Sequence, residues 1–222
     1  MATYVVTGAT RGIGREVVRL LADHDLVLVA RDAAALAELA SSLPSATFIA
    51  TDLTAPEHVP TDGWPDRVDG VVHSAGVAGR GTVEATDPAT YEWMFTVNVV
   101  AVAELTRRLL PALRAAGGTV VLVNSGQGLT VTGDSAAYAA SKHALRAYAD
   151  ALRGNEPQLR VTSVYPGRVA TGMQELLRAQ EGGAYEPERY LAATTVAGVV
   201  VAALQLPADA VMTDVRLTPR HP

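Results

Sequence analysis

From one end to the other, the chain alternates between short valine-rich runs and alanine- and leucine-rich stretches with helical spacing, a rhythm few architectures satisfy. The runs lie at Thr3–Thr7, Leu26–Ala30, Ala46–Ala50, Gly70–His73, Thr119–Asn124, Arg160–Tyr165 and Val211–Leu217. Most are continuously apolar rather than alternating, the pattern of strands covered on both faces. The stretches between them, Gly12–Ala22, Asp32–Ser42, Pro88–Ala116, Ala136–Arg153 and Pro187–Leu204, read as helices. Asp32 supplies an N-cap, and Asp87-Pro88 supplies a cap followed by proline in the first turn. Regular β-α alternation calls for parallel strands and right-handed crossovers. The expected fold is α/β: a doubly wound parallel sheet of about seven strands with helices on both faces, one domain over residues 1–222. One crossover departs from the rhythm: Pro56, Pro60 and Pro65 stand where a long helix would run, so a turn or two of helix plus a loop is expected there.

Composition narrows the function classes. Hydrophobic residues make up 49% of 222 and charged residues 18%, enough for a sizeable core. A net charge of −5 argues against nucleic acid as the main partner, since phosphate binding needs a basic surface. The absence of cysteine excludes disulfides, thiolate metal sites and cysteine nucleophiles, and no other metal set stands out. The first residues lack the basic head and apolar run of a signal peptide, and the apolar stretch near Val196–Leu204 falls short of a membrane span. A soluble, cytoplasmic protein without a membrane or nucleic-acid partner is expected.

The first strand runs into Thr7-Gly8-Ala9-Thr10-Arg11-Gly12-Ile13-Gly14, ahead of a helix. Gly8 allows a sharp turn, Gly12 lets the backbone approach a pyrophosphate, and Gly14 permits close helix–sheet packing. The following helix aims N–H groups and its positive dipole end at the phosphates. A carboxylate at the end of the second strand would accept an NAD ribose hydroxyl; here stand Ala30 and Arg31. Arg31, joined by Arg11, suits a 2′-phosphate, which points to NADP(H). Asp32 would repel that phosphate unless its carboxylate is occupied as a helix cap.

Tyr138 and Lys142 stand four apart in a strong helix pattern, so phenol and ammonium share one face. A nearby cation is expected to lower the phenol's pKa from about 10 and make it useful in acid–base work. Such a pair is also a common accident on helices. Ser125 ends the fifth run, where ligands of open α/β sheets bind, and its hydroxyl could join Tyr138 on a substrate oxygen. Asn98 is a polar residue inside Pro88–Ala116; either it holds a water leading to Lys142, or it kinks or caps the helix.

With these residues in place, the chain resembles a short-chain dehydrogenase/reductase of the single-domain type over nearly its whole length. Thr7–Gly14 resembles the cofactor loop, Asp52-Leu53 the adenine-contacting segment after the third strand, and His73-Ser74-Ala75-Gly76 the Asn-Asn-Ala-Gly motif. Asn98, Ser125, Tyr138 and Lys142 match the catalytic tetrad, with gaps of 27, 13 and 4. Tyr165-Pro166-Gly167, followed by Val169 and Thr171, resembles the segment that seats nicotinamide. The resemblance implies a Rossmann fold and cofactor contacts from Gly8, Thr10, Arg11, Gly12, Ile13, Gly14, Arg31, Asp52, Leu53, Ala75, Gly76, Tyr138, Lys142, Pro166, Gly167, Val169 and Thr171. His73 and Ser74 depart from the family's asparagines, and His73 reads as a histidine satisfied within a strand end.

The implied reaction is hydride transfer between NADP(H), through its pro-S hydrogen, and a small carbonyl or alcohol substrate. Ser125 and Tyr138 would bind the oxygen, Tyr138 would move the proton, Lys142 would hold the ribose, and Asn98 with a water would resupply protons. Gln127, Leu129, Arg168, Met173, Gln174 and Leu177 are candidates to line the substrate pocket, under a short lid at about 172–187. Arg168 would either recognise a substrate carboxylate or phosphate or form a surface ion pair. A sugar-nucleotide epimerase needs a second lobe, and an enoyl-thioester reductase spaces tyrosine and lysine more widely. A catalytically silent NADP(H)-sensing regulator on the same fold is the rival from another class. The family's habit of pairing long helices across a two-fold implies a homodimer or homotetramer.

Overall fold

Neighbouring side chains of the first strand enter different layers, and that alternation organises the molecule. In the computed structural model, which describes residues 1–220, Val6 packs among Val17, Leu21, Val196 and Val200, whereas Val5 packs among Leu105, Leu109, Leu113 and Leu145. Both faces of the sheet are therefore apolar, and each fully buried valine or leucine contributes about 1.5–3 kcal/mol.

The elements run β1 (Thr3–Thr7), α1 (Gly12–Leu20), β2 (Asp25–Ala30), α2 (Ala33–Ser41), β3 (Ala46–Ala50), β4 (Gly70–His73) and α3 (Pro88–Phe95). There follow α4 (Ala101–Ala116), β5 (Thr119–Val123), α5 (Ala136–Asn155), β6 (Arg160–Pro166), β7 (Val169–Ala170) and α6 (Gly172–Gln180). The chain closes with β8 (Leu191–Ala192), α7 (Ala193–Leu204) and β9 (Asp214–Leu217). Seven strands form one parallel sheet in the order β3-β2-β1-β4-β5-β6-β9, while β7 and β8 pair separately. Strand order reverses between β1 and β4, which opens a crevice at their carboxyl ends. The Thr7 hydroxyl accepts the Ser74 and Ala75 N–H groups at 3.0 Å each and so fixes the two lips of that crevice together. No helix among the described residues is long and apolar enough to cross a membrane.

The doubly wound sheet and the capping roles of Asp32 and Asp87 match expectation: their carboxylates accept the Ala35 and Thr90 N–H groups at 3.0 and 2.8 Å. Several boundaries do not. The helix expected over Pro88–Ala116 is broken by a π-helical turn at Thr96–Val100, where the Ala101 N–H reaches back five residues to Thr96. The helix expected from Pro187 starts at Ala193; Pro187–Arg189 is a single 3-10 turn, because the next residues leave it to pair as β8. The last strand begins at Asp214 rather than Val211, and the lid contains a helix, α6, capped by Thr171. The proline-rich stretch forms a 3-10 turn at Pro56–His58. The edge strand β3 is partly open, with Phe48 40% exposed on the face it shares with Leu28, so this strand is not covered on both faces as expected.

Candidate active site

The glycine loop leaves β1 through Gly8 and enters α1 through Gly12, with φ of +66° and +56°, a left-handed backbone that glycine adopts freely. A Cβ on Gly14 would strike the Gly8 carbonyl and lie 2.6 Å from Ser74 Oγ, so α1 sits as close to the β1 and β4 ends as a chain can. Gly12 faces Thr171, whose Cγ2 would lie 3.4 Å from an added Cβ. This brings the loop and the segment after β6 to the same cleft. No side chain caps α1, whereas Asp32, Asp87 and Thr171 cap α2, α3 and α6. The first N–H groups of α1 thus keep their donors for an anion.

Ala30 ends β2 and Arg31 follows it, beside this loop. Arg11 and Arg31 are exposed, and among the described residues neither has a carboxylate within ion-pair distance. Asp32 is occupied by its cap. Asp52 accepts the Thr54 N–H at 3.0 Å, which holds its carboxyl below the usual carboxylate range, with Arg31 adding a smaller pull. Leu53 is half-buried beside it, and the buried Thr51 hydroxyl has no partner. Ala75, Gly76, Pro166, Gly167 and Val169 line the ends of β4 and β6, and Thr10 and Ile13 are half-buried in the glycine turn. A nicotinamide dinucleotide fits this donor set: open amides and a tight glycine floor for the pyrophosphate, and two unpaired guanidiniums beside the ribose position.

The four tetrad candidates meet across the other half of the crevice. Lys142 is 5% exposed; its Nζ donates to the Val123 carbonyl at 3.1 Å and lies 5.9 Å from the centre of the Tyr138 ring. Burial of the ammonium pushes its pKa down to about 8. Tyr138 shifts the other way from expectation. Burial raises its pKa, and the neighbouring Ser125 hydroxyl offsets only part of that rise. Spacing on a helix shows that lysine is near, but the burial that sets the direction of the shift is a property of the folded chain.

Asn98 lies in the π-helical turn, the break in the helix that one of its two sequence readings allowed. Its Oδ1 accepts the Val77 N–H at 2.9 Å, and its Nδ2 donates to the Val77 carbonyl and to Ser141 Oγ, each at 3.0 Å. The side chain is committed to pinning the turn after β4 against α5. A Cβ on Gly76 would lie 3.1 Å from Asn98 Oδ1 and 3.8 Å from Lys142 Nζ, so glycine keeps this junction open. Asn124, which the motif reading passed over, donates to the Lys142 carbonyl at 3.1 Å and accepts the Ser125 N–H at 2.8 Å. It ties the nucleotide-facing end of β5 to α5.

The substrate candidates divide. Gln127 staples its own loop, bonding Thr132 and Ser135, while Leu129 and Leu177 are half-buried. Met173 is 39% exposed on α6, and Gln174 is buried with its Nε2 unpartnered. Arg168 forms a two-pronged ion pair with Glu181 at 2.7 and 3.0 Å. Arg80, Arg178 and Glu181, which join it there, are residues the sequence reading missed; no local motif links positions so far apart. His73 is buried, with Nε2 3.0 Å from Thr106 Oγ1, the satisfied strand-end histidine expected of it.

Comparison with known proteins agrees with this geometry. A family model described as short chain dehydrogenase matches residues 2–182. Dehydrogenase/reductase SDR family member 7B of Bos taurus is 33% identical over 204 residues, covering 83% of this chain and 63% of its own. The present chain thus spans under two thirds of that relative's length. An uncharacterised oxidoreductase of Staphylococcus epidermidis is 28% identical and covers 97% of this chain and 96% of its own. Among solved structures, an alcohol dehydrogenase from Thermococcus sibiricus complexed with 5-hydroxy-NADP superposes with a TM-score of 0.89 at 25% identity, covering 100% of this chain and 98% of that one. The KRED1-Pglu enzyme superposes at 0.86 with 30% identity, covering 97% and 100%. With its parallel sheet, glycine loop and Asn-Ser-Tyr-Lys set, the chain belongs to the short chain dehydrogenase family.

Proposed function

We propose that the protein is an NADP(H)-dependent oxidoreductase that reduces a carbonyl to an alcohol, or runs the reverse reaction. One observation carries the reading: a buried lysine whose Nζ bonds a main-chain carbonyl stands 5.9 Å from the ring of Tyr138, with Ser125 beside that phenol. Bound NADPH would supply a hydride to the carbonyl carbon. Ser125 and Tyr138 hold the carbonyl oxygen, and Tyr138 gives its proton as charge develops there. The phenol, raised further by burial, is protonated near neutral pH, the form a proton donor needs. Lys142 stabilises the phenolate left behind and would hold the ribose hydroxyls, while Asn98 fixes the turn against which substrate and cofactor align. Arg31 and Arg11 favour the phosphorylated cofactor, in keeping with the NADP named for the Thermococcus enzyme. A cytoplasmic location and self-association belong to the same reading; Trp93 and Val100, 42% and 50% exposed near the start of α4, suit a helix face that meets a second copy.

The test is an NADPH-consumption screen over ketones, oxo acids, oxoacyl thioesters and quinones, run with Tyr138→Phe in parallel. Turnover by the parent and its loss in the variant, at unchanged NADPH affinity, support the proposal. Tight NADPH binding without consumption of any carbonyl refutes it in favour of a nucleotide sensor.

A further inference from the structure

Three guanidiniums converge at the mouth of the active site. Glu181, which follows the lid helix α6, is gripped by Arg80 from the loop after β4, by Arg168 from the turn after β6 and by Arg178 from the lid itself. Arg80 also bonds Asp134 at 2.9 Å. Its main-chain N–H reaches Gln180 Oε1 at 3.3 Å, and its buried Nε has no partner. Glu181 already accepts four N–H bonds from these arginines, as many as its lone pairs allow. Among the described residues three cations thus face two carboxylates, one positive charge in excess, in a cluster that is shielded at Arg80 and Arg178, 21% and 25% exposed, and opens to solvent at Arg168, 41% exposed.

The cluster borders the reacting groups. Gly81, next to Arg80, exchanges main-chain bonds with Asp134 and Ala136 at 2.9 and 3.1 Å. Ala136 lies less than one helical turn before Tyr138 on α5. Arg80 is four residues beyond Gly76, whose added Cβ would lie 3.8 Å from Lys142 Nζ, so at most about 14 Å of chain separates them. Arg168 sits between Pro166 and Thr171, on the segment that meets the glycine loop.

We infer that Arg80, Arg168 and Arg178 form a subsite for a carboxylate carried by the substrate, with Glu181 as the internal anion that holds the site together when no substrate is present. A single surplus charge matches a carboxylate better than a phosphate dianion, and guanidinium forks suit its planar oxygens. The inference rests on the carbonyl-reductase reading and narrows it to oxo acids.

The experiment pairs aliphatic oxo acids with their methyl esters as substrates under saturating NADPH. The acid exceeds its ester in kcat/KM by about 10- to 100-fold, the range of a charge-assisted hydrogen bond. Arg168→Gln collapses that ratio towards one. Glu181→Gln raises it, because an internal competitor is gone; a purely structural ion pair would lower it or leave it unchanged. An acid/ester ratio near one in the parent protein, equal losses for both in Arg168→Gln, or a lowered ratio in Glu181→Gln overturns the inference while leaving the reductase reading intact. If no carbonyl is turned over, that reading fails by itself. Calorimetric titration with butyrate, with and without NADPH, then decides the subsite. Butyrate binding weakened about tenfold or more by Arg168→Gln upholds it, and no binding, or tighter binding of inorganic phosphate, overturns it.

Discussion

Acidification provides a sharp test of the packing beneath the cofactor cleft, through His73. This side chain is 2% exposed at the end of β4, and burial pushes its pKa down to about 3. The Thr106 hydroxyl gives its proton to the Val102 carbonyl at 2.7 Å, so Nε2 of His73 must carry the hydrogen in the 3.0 Å contact with Thr106. The imidazole is thus held neutral. The unfolded chain binds a proton near pH 6.5 and the folded chain does not until about 3, so stability falls as pH drops through that window. At pH 5 the loss from this one group is about 2 kcal/mol relative to pH 7.5. With a urea slope of about 2 kcal/mol/M, the midpoint falls by about 1 M. Asparagine cannot titrate, so His73→Asn removes that part of the acid sensitivity whatever constant offset its smaller volume introduces. Urea midpoints of both proteins at pH 7.5 and 5.0 isolate the difference of differences. If both lose equal stability on acidification, the buried neutral histidine is wrong.

Three further outcomes follow from the site. Arg31→Ala weakens NADPH by about 2 kcal/mol, near thirtyfold, and NADH by less than about threefold; fluorescence titration of both cofactors checks it, and equal losses remove the 2′-phosphate role. Because burial brings the Lys142 ammonium to lose its proton through about pH 8, the affinity for anionic NADPH declines as pH rises through that point, and Lys142→Arg, which stays charged, abolishes the break; titrations at about pH 7 and 9 check it. Gly14→Ala forces a methyl against the Gly8 carbonyl, costs about 1–3 kcal/mol and lowers Tm by about 5 °C in calorimetry, with weaker cofactor binding.

The parts that could be read from sequence were those built on near neighbours. The glycine loop, Asp32 and Asp87 as caps, and the Tyr138–Lys142 spacing each depend on residues within one or two turns, so pattern alone exposes them. Thr171 followed by Gln174 and Glu175 carried an ordinary helix-start signal that would have found α6. For the π turn at Thr96–Val100 the only signal was the polar Asn98 inside an apolar helix; its form depends on partners at Val77 and Ser141, far apart in sequence. The direction of the Tyr138 shift depended on how deeply the phenol is enclosed. Glu181 and Arg80 are 101 residues apart, and only the fold makes them neighbours.

Thr7, Asn98 and Asn124 weld the ends of β1, β4, β5 and α5 to one another through side-chain bonds to main chain. The lid is held less firmly: among the described residues one such bond, from the Arg80 N–H to Gln180 Oε1 at 3.3 Å, reaches it from the loop after β4, and the rest of that junction is made by charge. Ionic strength should then act as a throttle on traffic through the mouth, loosening the gate while the floor beneath it stays rigid.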